Sequence, residues 1–351
     1  DSKNIEKYIK DICEKINFID ESRTIVFLST DWEKDSNLNF NLYASKSELN
    51  LINKIENLNI ITLNQIADFT LGITPYDKYK GHSQEIIKSR AYHSAIKIDD
   101  SYKPLITGEN IIRYFVSPEI KEYIKYGDWL GAKREERFFI NSRILIRQIV
   151  SGNPPRIYCG YTEEELYFTQ IGFGIISKNQ EQFTNKYILT LLNSKLLNFY
   201  HKYKFLDLEK DLFQKVLIAN CKELPIIKIS LSEQLAFVEK ADLMLSLNND
   251  LKDSASKFQR TLQRKFELES LPKKLENWYN LTFAEFVKEL GKKKIKLSLS
   301  EESEWEDYFL HEQQKTLALK QQISTTDQQI DKMVYQLYGL TDEEIKIVEN
   351  S

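Results

Sequence analysis

The chain has 351 residues, of which 42% are hydrophobic, 12% aromatic and 29% charged, enough for two or three domains that each bury a core. Its apolar runs, such as Ile144-Leu145-Ile146, fall far short of the ~20 residues a membrane-spanning helix needs. The net charge of −3, taken alone, argues against nucleic acid as a partner.

Residues 3–17 carry Ile5, Ile9, Ile12 and Ile16 at spacings of three and four, which predicts an amphipathic helix. RTIVFLS (23–29) reads as a strand, 31–41 as a polar connector, and 46–57 as a helix with Leu49, Ile52 and Ile55 inward. From about Ile60 to Ile229 short β-type runs alternate with turns. AIKI (95–98), PLITG (104–108), IIRYFV (111–116), RFFI (137–140), RILIRQIV (143–150), RIYCGY (156–161) and LYFTQIGFGII (166–176) all read as strands. In 143–149, Arg143, Leu145 and Arg147 alternate with Ile144, Ile146 and Gln148, as in a half-buried strand. Two helices follow, 182–193 and 195–204, broken near Asn193-Ser194. This stretch lacks the regular β-α alternation of a doubly wound sheet.

After Pro225 the pattern is helical. Ser230 and Glu233 form a capping box opening a helix to about Glu267. Met244, Asn248, Leu251, Ala255, Phe258 and Leu262 recur at alternating spacings of four and three, a seam for a second helix. Residues 305–337 supply one in Phe309, Leu317, Ile323, Ile330, Val334 and Leu337, with Gly339 as its C-cap. Antiparallel pairing within the chain is expected; dimerisation through the same seam is the alternative. Thr282 with Glu285 and Thr341 with Glu344 are further capping boxes. The fold class is therefore α+β: a β-rich domain followed by a long-helix C-terminal region.

Charge is unevenly spread. Residues 112–160 hold nine Lys/Arg against five Asp/Glu, and 257–296 eleven against five, including Lys292, Lys293, Lys294 and Lys296. Residues 298–351 hold four against twelve. Such separation suits one basic binding face with an acidic module turned away, the plain alternative being solvated helix faces. Cys13, Cys159 and Cys221 are odd in number and far apart, the usage of reduced cytoplasmic thiols. His82, His93, His201 and His311 lie at no metal-ligand spacing. The opening residues have no signal-peptide character, and a first residue Asp1 without Met suggests a fragment.

Catalytic motifs are missing. Asn153-Pro154-Pro155 is followed by Arg156, where an adenine-N6 methyltransferase needs an aromatic ring to stack on its flipped base. Gly172-Phe173-Gly174 lies within an apolar strand, not a cofactor-binding turn, and there is no phosphate loop. Leu208-Glu209-Lys210 sits in charged helical sequence without the strand context of a nuclease.

The order PLITGENIIRYF (104–115), RILIRQIVSGNPPRIYCGY (143–161), YFTQ (167–170) and YILTLLNSKLLNFYHKY (187–203) resembles the TaqI-like C-terminal specificity domain of type II restriction–modification enzymes. The ending IDKMVYQLYGLTDEEIKIVE (330–349) is similar to that of fused type IIG methyltransferase-endonucleases. The resemblance implies a double-stranded DNA-reading module, not catalytic alone, with methyltransferase and nuclease domains upstream. It implies no cofactor in this chain, with S-adenosylmethionine and Mg²⁺ belonging to the parent enzyme. Residues 1–58 then read as a linker or the end of a methyltransferase region, 59–228 as the target-recognition domain and 229–351 as a helical spacer. The alternative is an assembly module that docks a catalytic subunit, as in type I specificity subunits.

Recognition needs Lys/Arg at phosphates and amide, hydroxyl or guanidinium groups at base edges. Arg143, Arg147, Gln148, Ser151, Asn153 and Arg156 offer these on one strand-turn-strand, with Lys133 and Arg134 just before it. Gly108 and Asn110 read as turn-formers, and Tyr187, Phe199, Tyr200 and Tyr203 as core.

Overall fold

The computed structural model describes residues 44–149, 156–206 and 215–351. The helix expected at 3–17, the strand at 23–29, Cys13, and the Ser151 and Asn153 candidates with the Asn-Pro-Pro turn lie outside the described residues.

The described strands are β1 (Ile60–Thr62), β2 (Ala67–Leu71), β3 (His93–Ser94), β4 (Tyr102–Ile106), β5 (Tyr114–Phe115), β6 (Glu122–Lys125), β7 (Arg143–Arg147), β8 (Cys159–Thr162), β9 (Tyr167–Phe168), β10 (Gly172–Ser177) and β11 (Pro225–Ile227). The principal helices are α1 (Lys46–Glu56), α2 (Asn185–Asn193), α3 (Lys195–Phe205), α4 (Leu231–Lys265), α5 (Phe283–Lys292), α6 (Leu299–Leu337) and α7 (Asp342–Glu349). Strands β2-β10-β7-β8-β5 form a five-stranded sheet and β3-β6-β4-β9 a four-stranded one, while β1 pairs with β11. The fold is α+β, with mixed sheets followed by long helices.

Strand β7 shows how the layers are built. Ile144 and Ile146 enter a core shared with α1, α2, α3 and the C-terminal helices, while Leu145 enters a second core against the four-stranded sheet. Both faces are covered, so β7 is not the half-buried strand that its alternation predicts; an Arg at every second position mimics a solvent face. Other strands are corrected too. RFFI is one turn of helix, Arg137–Ile140. AIKI is no strand, and Ile96 and Ile98 are exposed. LYFTQIGFGII divides between β9 and β10, which belong to different sheets because the turn at 169–171 crosses over. IIRYFV folds back on itself, with Ile111 bridged to Val116.

The LLNSK break between α2 and α3 has a physical reason. Ser194 caps α3, and Asn193 and Asn198 point into the core. Asn193 donates to the Cys159 carbonyl (2.9 Å) and accepts from its N–H (3.3 Å), and Asn198 accepts from the Ile157 N–H (2.7 Å). Two side-chain amides thus pair a buried strand end that no neighbouring strand satisfies. Tyr187, Phe199, Tyr200 and Tyr203 are all buried in this core.

Helices α4 and α6 pair antiparallel: Lys240 meets Gln329 and Ser254 meets Thr316. Met244, Phe258 and Leu262 are buried along the expected seam. Helix α6 starts earlier than its apolar pattern, because Ser298 and Glu301 form a capping box. The capping boxes at Ser230, Thr282 and Thr341 are all present, and Gly339 ends α6 with φ +61°. The tip of the arm holds its own core, with Phe258 stacked on Trp278 at 3.7 Å and Phe286 and Phe309 around them. Its base grips the sheets: Arg113 bonds Asp327 through both terminal guanidinium nitrogens (2.6 and 2.8 Å), and the Tyr114 hydroxyl donates to the same carboxylate. Tyr114 has φ +68°, a left-handed conformation that costs a non-glycine residue about 1–2 kcal/mol.

Candidate nucleic-acid interface

Strand register gathers several loops at one end of both sheets. Leu71 opposes Phe173, Gly172 opposes Arg147, and Ile146 opposes Cys159, so β2 and β7 end where β8 and β10 begin. Strand β4 runs parallel to β9 and ends beside it, Ile106 against Phe168. The segments 72–77, 107–110, 148–149, 156–158 and 169–171 therefore share one edge. Isolated bridges Ile73–Thr169 and Thr74–Ala132 add segment 131–134. Gly72 is required here, because a Cβ on it would lie 1.8 Å from the Thr169 carbonyl oxygen.

Arg147 is half-buried on this edge. Its N–H is bonded to the Tyr158 carbonyl (3.0 Å), its guanidinium stands 5.9 Å from the Tyr158 ring, and its side chain passes Gly108. Gln148 anchors its backbone to Ile171 and Val216, and its side-chain amide has no hydrogen bond among the described residues. Gln170 is exposed beside them, donating to the Thr74 hydroxyl at 3.3 Å. Lys133 pairs with Asp128 (2.8 Å), an exposed contact of the kind worth about 0–1 kcal/mol and easily exchanged for another anion. Arg134 has φ +68° and reaches the Gly72 carbonyl, while Tyr126 donates to its own carbonyl.

Arg143 does not belong to the face. It is fully buried, donating to the Asn141, Glu164 and Leu166 carbonyls at 2.7, 2.8 and 2.9 Å. Burial pushes the guanidinium down to about 10, against the Tyr167 and Glu164 groups that favour its charge. The expected DNA contact is corrected to a clamp on the turn between β8 and β9. Arg156 is half-buried and near Glu349 and Tyr335 of the C-terminal helices. Burial pushes the Glu349 carboxyl up, but Lys195, Tyr335 and Arg156 together hold it below its ordinary range. The structure thus brings Arg147, Gln148, Lys133 and Arg134 to one edge, while Arg156, at the start of segment 156–158, is close enough to Glu349 to favour its charge. Asn110 is the turn-former expected, accepting from the Thr107 N–H and donating to the Ser117 and Glu119 carbonyls. Gln170, Thr74 and Tyr158 lie at the same edge and carry no local signal of it; only strand register places them there, although YFTQ carries Gln170 within the family-like pattern.

Among the described residues no cluster of His, Cys, Asp and Glu could hold a metal ion, and no helix is long and apolar enough to cross a membrane. Cys159 and Cys221 are buried and unpaired by disulfide.

Residues 230–334, nearly the whole arm, match a domain of unknown function (DUF8810). The chain is 24% identical over 237 residues to a Lon protease of Leptospira interrogans, covering 63% of this chain and 27% of that protein. It is 25% identical over 172 residues to a Methanocaldococcus jannaschii protein bearing the name of a type II restriction enzyme and methyltransferase, covering 48% of this chain and 14% of the relative. The chain therefore spans only a minor part of either curated relative. Among solved structures, the type I restriction–modification S subunit from M. genitalium superposes with a TM-score of 0.32 at 14% identity, covering 68% of this chain and 50% of that one. Residues 103–226, from β4 to the middle of β11, match the TaqI-like C-terminal specificity domain. Residues 103–226 thus correspond to a TaqI-like specificity domain, a DNA target-recognition module related to restriction–modification components.

Proposed function

We propose that the chain reads double-stranded DNA in a sequence-specific way through the strand-end edge, as the recognition part of a larger cytoplasmic restriction–modification protein. Arg147, Gln148 and Gln170 stand at base edges, with Ser151 and Asn153 of the adjoining segment, while Lys133 and Arg134 hold phosphates. The observation that carries this reading is the convergence of Arg147, Gln148, Lys133 and Arg134 on one edge, beside a domain matched to a specificity family. An arginine pairs with guanine and a glutamine with adenine, each good pair adding roughly 1–3 kcal/mol of discrimination. Upstream adenine-methyltransferase and nuclease domains, using S-adenosylmethionine and Mg²⁺, would act on the site so chosen. That parent chemistry is suggested by the named methyltransferase relative, of which this chain covers a small share.

The test is binding selection from a randomised duplex pool, followed by anisotropy. The wild-type chain is expected to enrich one motif, and Arg147→Ala to relax one position of it by about 1–3 kcal/mol. Lys133→Gln should weaken all sequences alike and lower the salt slope by about 0.9. Absence of duplex binding at about 50 mM salt would exclude the reading. A second reading, docking of a catalytic subunit, is favoured by the exposed Leu231, Leu235, Leu243, Leu310 and Leu317 on the arm. It predicts that Leu235→Asp alters assembly and leaves DNA selection unchanged.

A further inference from the structure

Next to the strand-end edge, Tyr76-Asp77-Lys78-Tyr79-Lys80-Gly81-His82 forms a built turn whose tip does no structural work. Asp77 accepts from the Tyr79 N–H at 2.9 Å, and Gly81 closes the turn with φ +88°. His82 fixes it from beneath: its Nδ1 accepts from the Asp77 N–H (2.9 Å) and its Nε2 donates to the Trp129 carbonyl (2.8 Å). Gly131 admits the turn closely, since a Cβ there would lie 2.8 Å from the Asp77 Cβ. The turn is thereby joined to segment 129–134, which carries Lys133 and Arg134.

Tyr79 at the tip is 87% exposed, while Tyr76 stacks on Tyr92 at 5.3 Å just below. Lys78 and Lys80 flank it, both exposed and without an ion pair among the described residues, with the Lys78 ammonium 4.8 Å from the Tyr79 ring centroid. Residues 78–97 hold five Lys/Arg against one Asp/Glu. A lone exposed aromatic is ordinary on a protein surface. This one differs in having one lysine ammonium beside its ring and a second exposed lysine next in the chain, on a turn pinned by a histidine and continuous with a basic edge.

We propose that the Lys78–Lys80 turn is a second, sequence-independent contact to the DNA backbone. Lys78 and Lys80 neutralise adjacent phosphates, and the Tyr79 ring lies against the deoxyribose between them. The inference rests on duplex DNA being the ligand of the strand-end edge. His82 is a positioning residue that holds the turn at that edge.

Anisotropy on the full chain with a duplex of about 30 bp of random sequence, titrated with salt, tests it. Replacing Lys78 and Lys80 together by Gln should lower the slope of log K against log salt by about 1.8, two phosphates' worth. Tyr79→Ala should weaken binding about fivefold without changing that slope. His82→Ala should reproduce part of both losses, and His82→Gln, which retains a donor and an acceptor, should restore them. The motif enriched from a randomised pool should be the same in every variant. Wild-type affinity and slope in the Lys78/Lys80 double variant would overturn the inference while leaving the strand-end reading intact. Failure of the wild-type chain to bind any duplex would overturn both.

Discussion

The β-rich region and the helical arm are held together by different balances of polar and apolar contact. In the sheets, buried polar side chains serve the backbone: Arg143, Asn110, Asn185, Asn193 and Asn198 all bond main-chain groups of short strands and turns. At the arm tip the core is a cluster of rings, with Phe258, Trp278, Phe286 and Phe309 buried together. The difference follows from backbone chemistry. Long helices satisfy their own N–H and C=O groups, so the arm rests mainly on apolar contact, and side-chain amides such as Gln259 and Gln313 serve only the carbonyls of the irregular 273–281 segment. Strands of two to six residues, broken by turns, leave groups unpaired, and buried amides and a guanidinium supply the partners. A recognition face built from irregular loops therefore carries a polar scaffold beneath it.

Three substitutions would break or sharpen this contrast. Arg143→Leu removes the donor from three carbonyls, of which only that of Leu166 is buried, and should cost on the order of 3 kcal/mol in urea unfolding, weakening DNA binding through a loosened 163–166 turn. A loss under about 1 kcal/mol would show that the guanidinium does not hold the turn between β8 and β9. Trp278→Ala should cost about 3 kcal/mol, with faster hydrogen exchange confined to α5 and the adjoining ends of α4 and α6. Equal acceleration in β7 would mean that the two regions unfold as one unit.

The smallest effect concerns the junction. Asp331 is buried in α6 and accepts from the Lys195 N–H at 2.8 Å, and burial pushes its carboxyl up to about 6 from an ordinary 3.8. Between those values the folded chain holds a proton that the unfolded chain has released. This group's contribution to stability therefore increases as pH falls from about 6 to about 4. Asp331→Asn should stabilise the chain by about 1 kcal/mol at neutral pH and remove that increase, as read by urea midpoints across the window. An unchanged pH dependence in the variant would sink the assignment.

Much of the arm was legible in the sequence. Capping boxes at Ser230, Thr282 and Thr341, the glycine after α6 and the Met244–Leu262 seam are local signals, because helix bonds and caps join residues a few positions apart. The apolar helices α2 and α3 and the family-like order of motifs were legible for the same reason. Strand roles were not. Arg143 and Arg147 look alike in an alternating pattern, yet one is a buried clamp and the other lies at the open edge. Which neighbours cover a strand depends on residues far away in the chain, here the 163–166 turn and the four-stranded sheet. The edge where Arg147, Gln148, Gln170, Thr74, Lys133 and Arg134 meet likewise exists only through pairing of β2, β7, β9 and β10. Local spacing determined the helices and their ends; long-range strand register decided which polar side chains serve the core and which lie at the open edge.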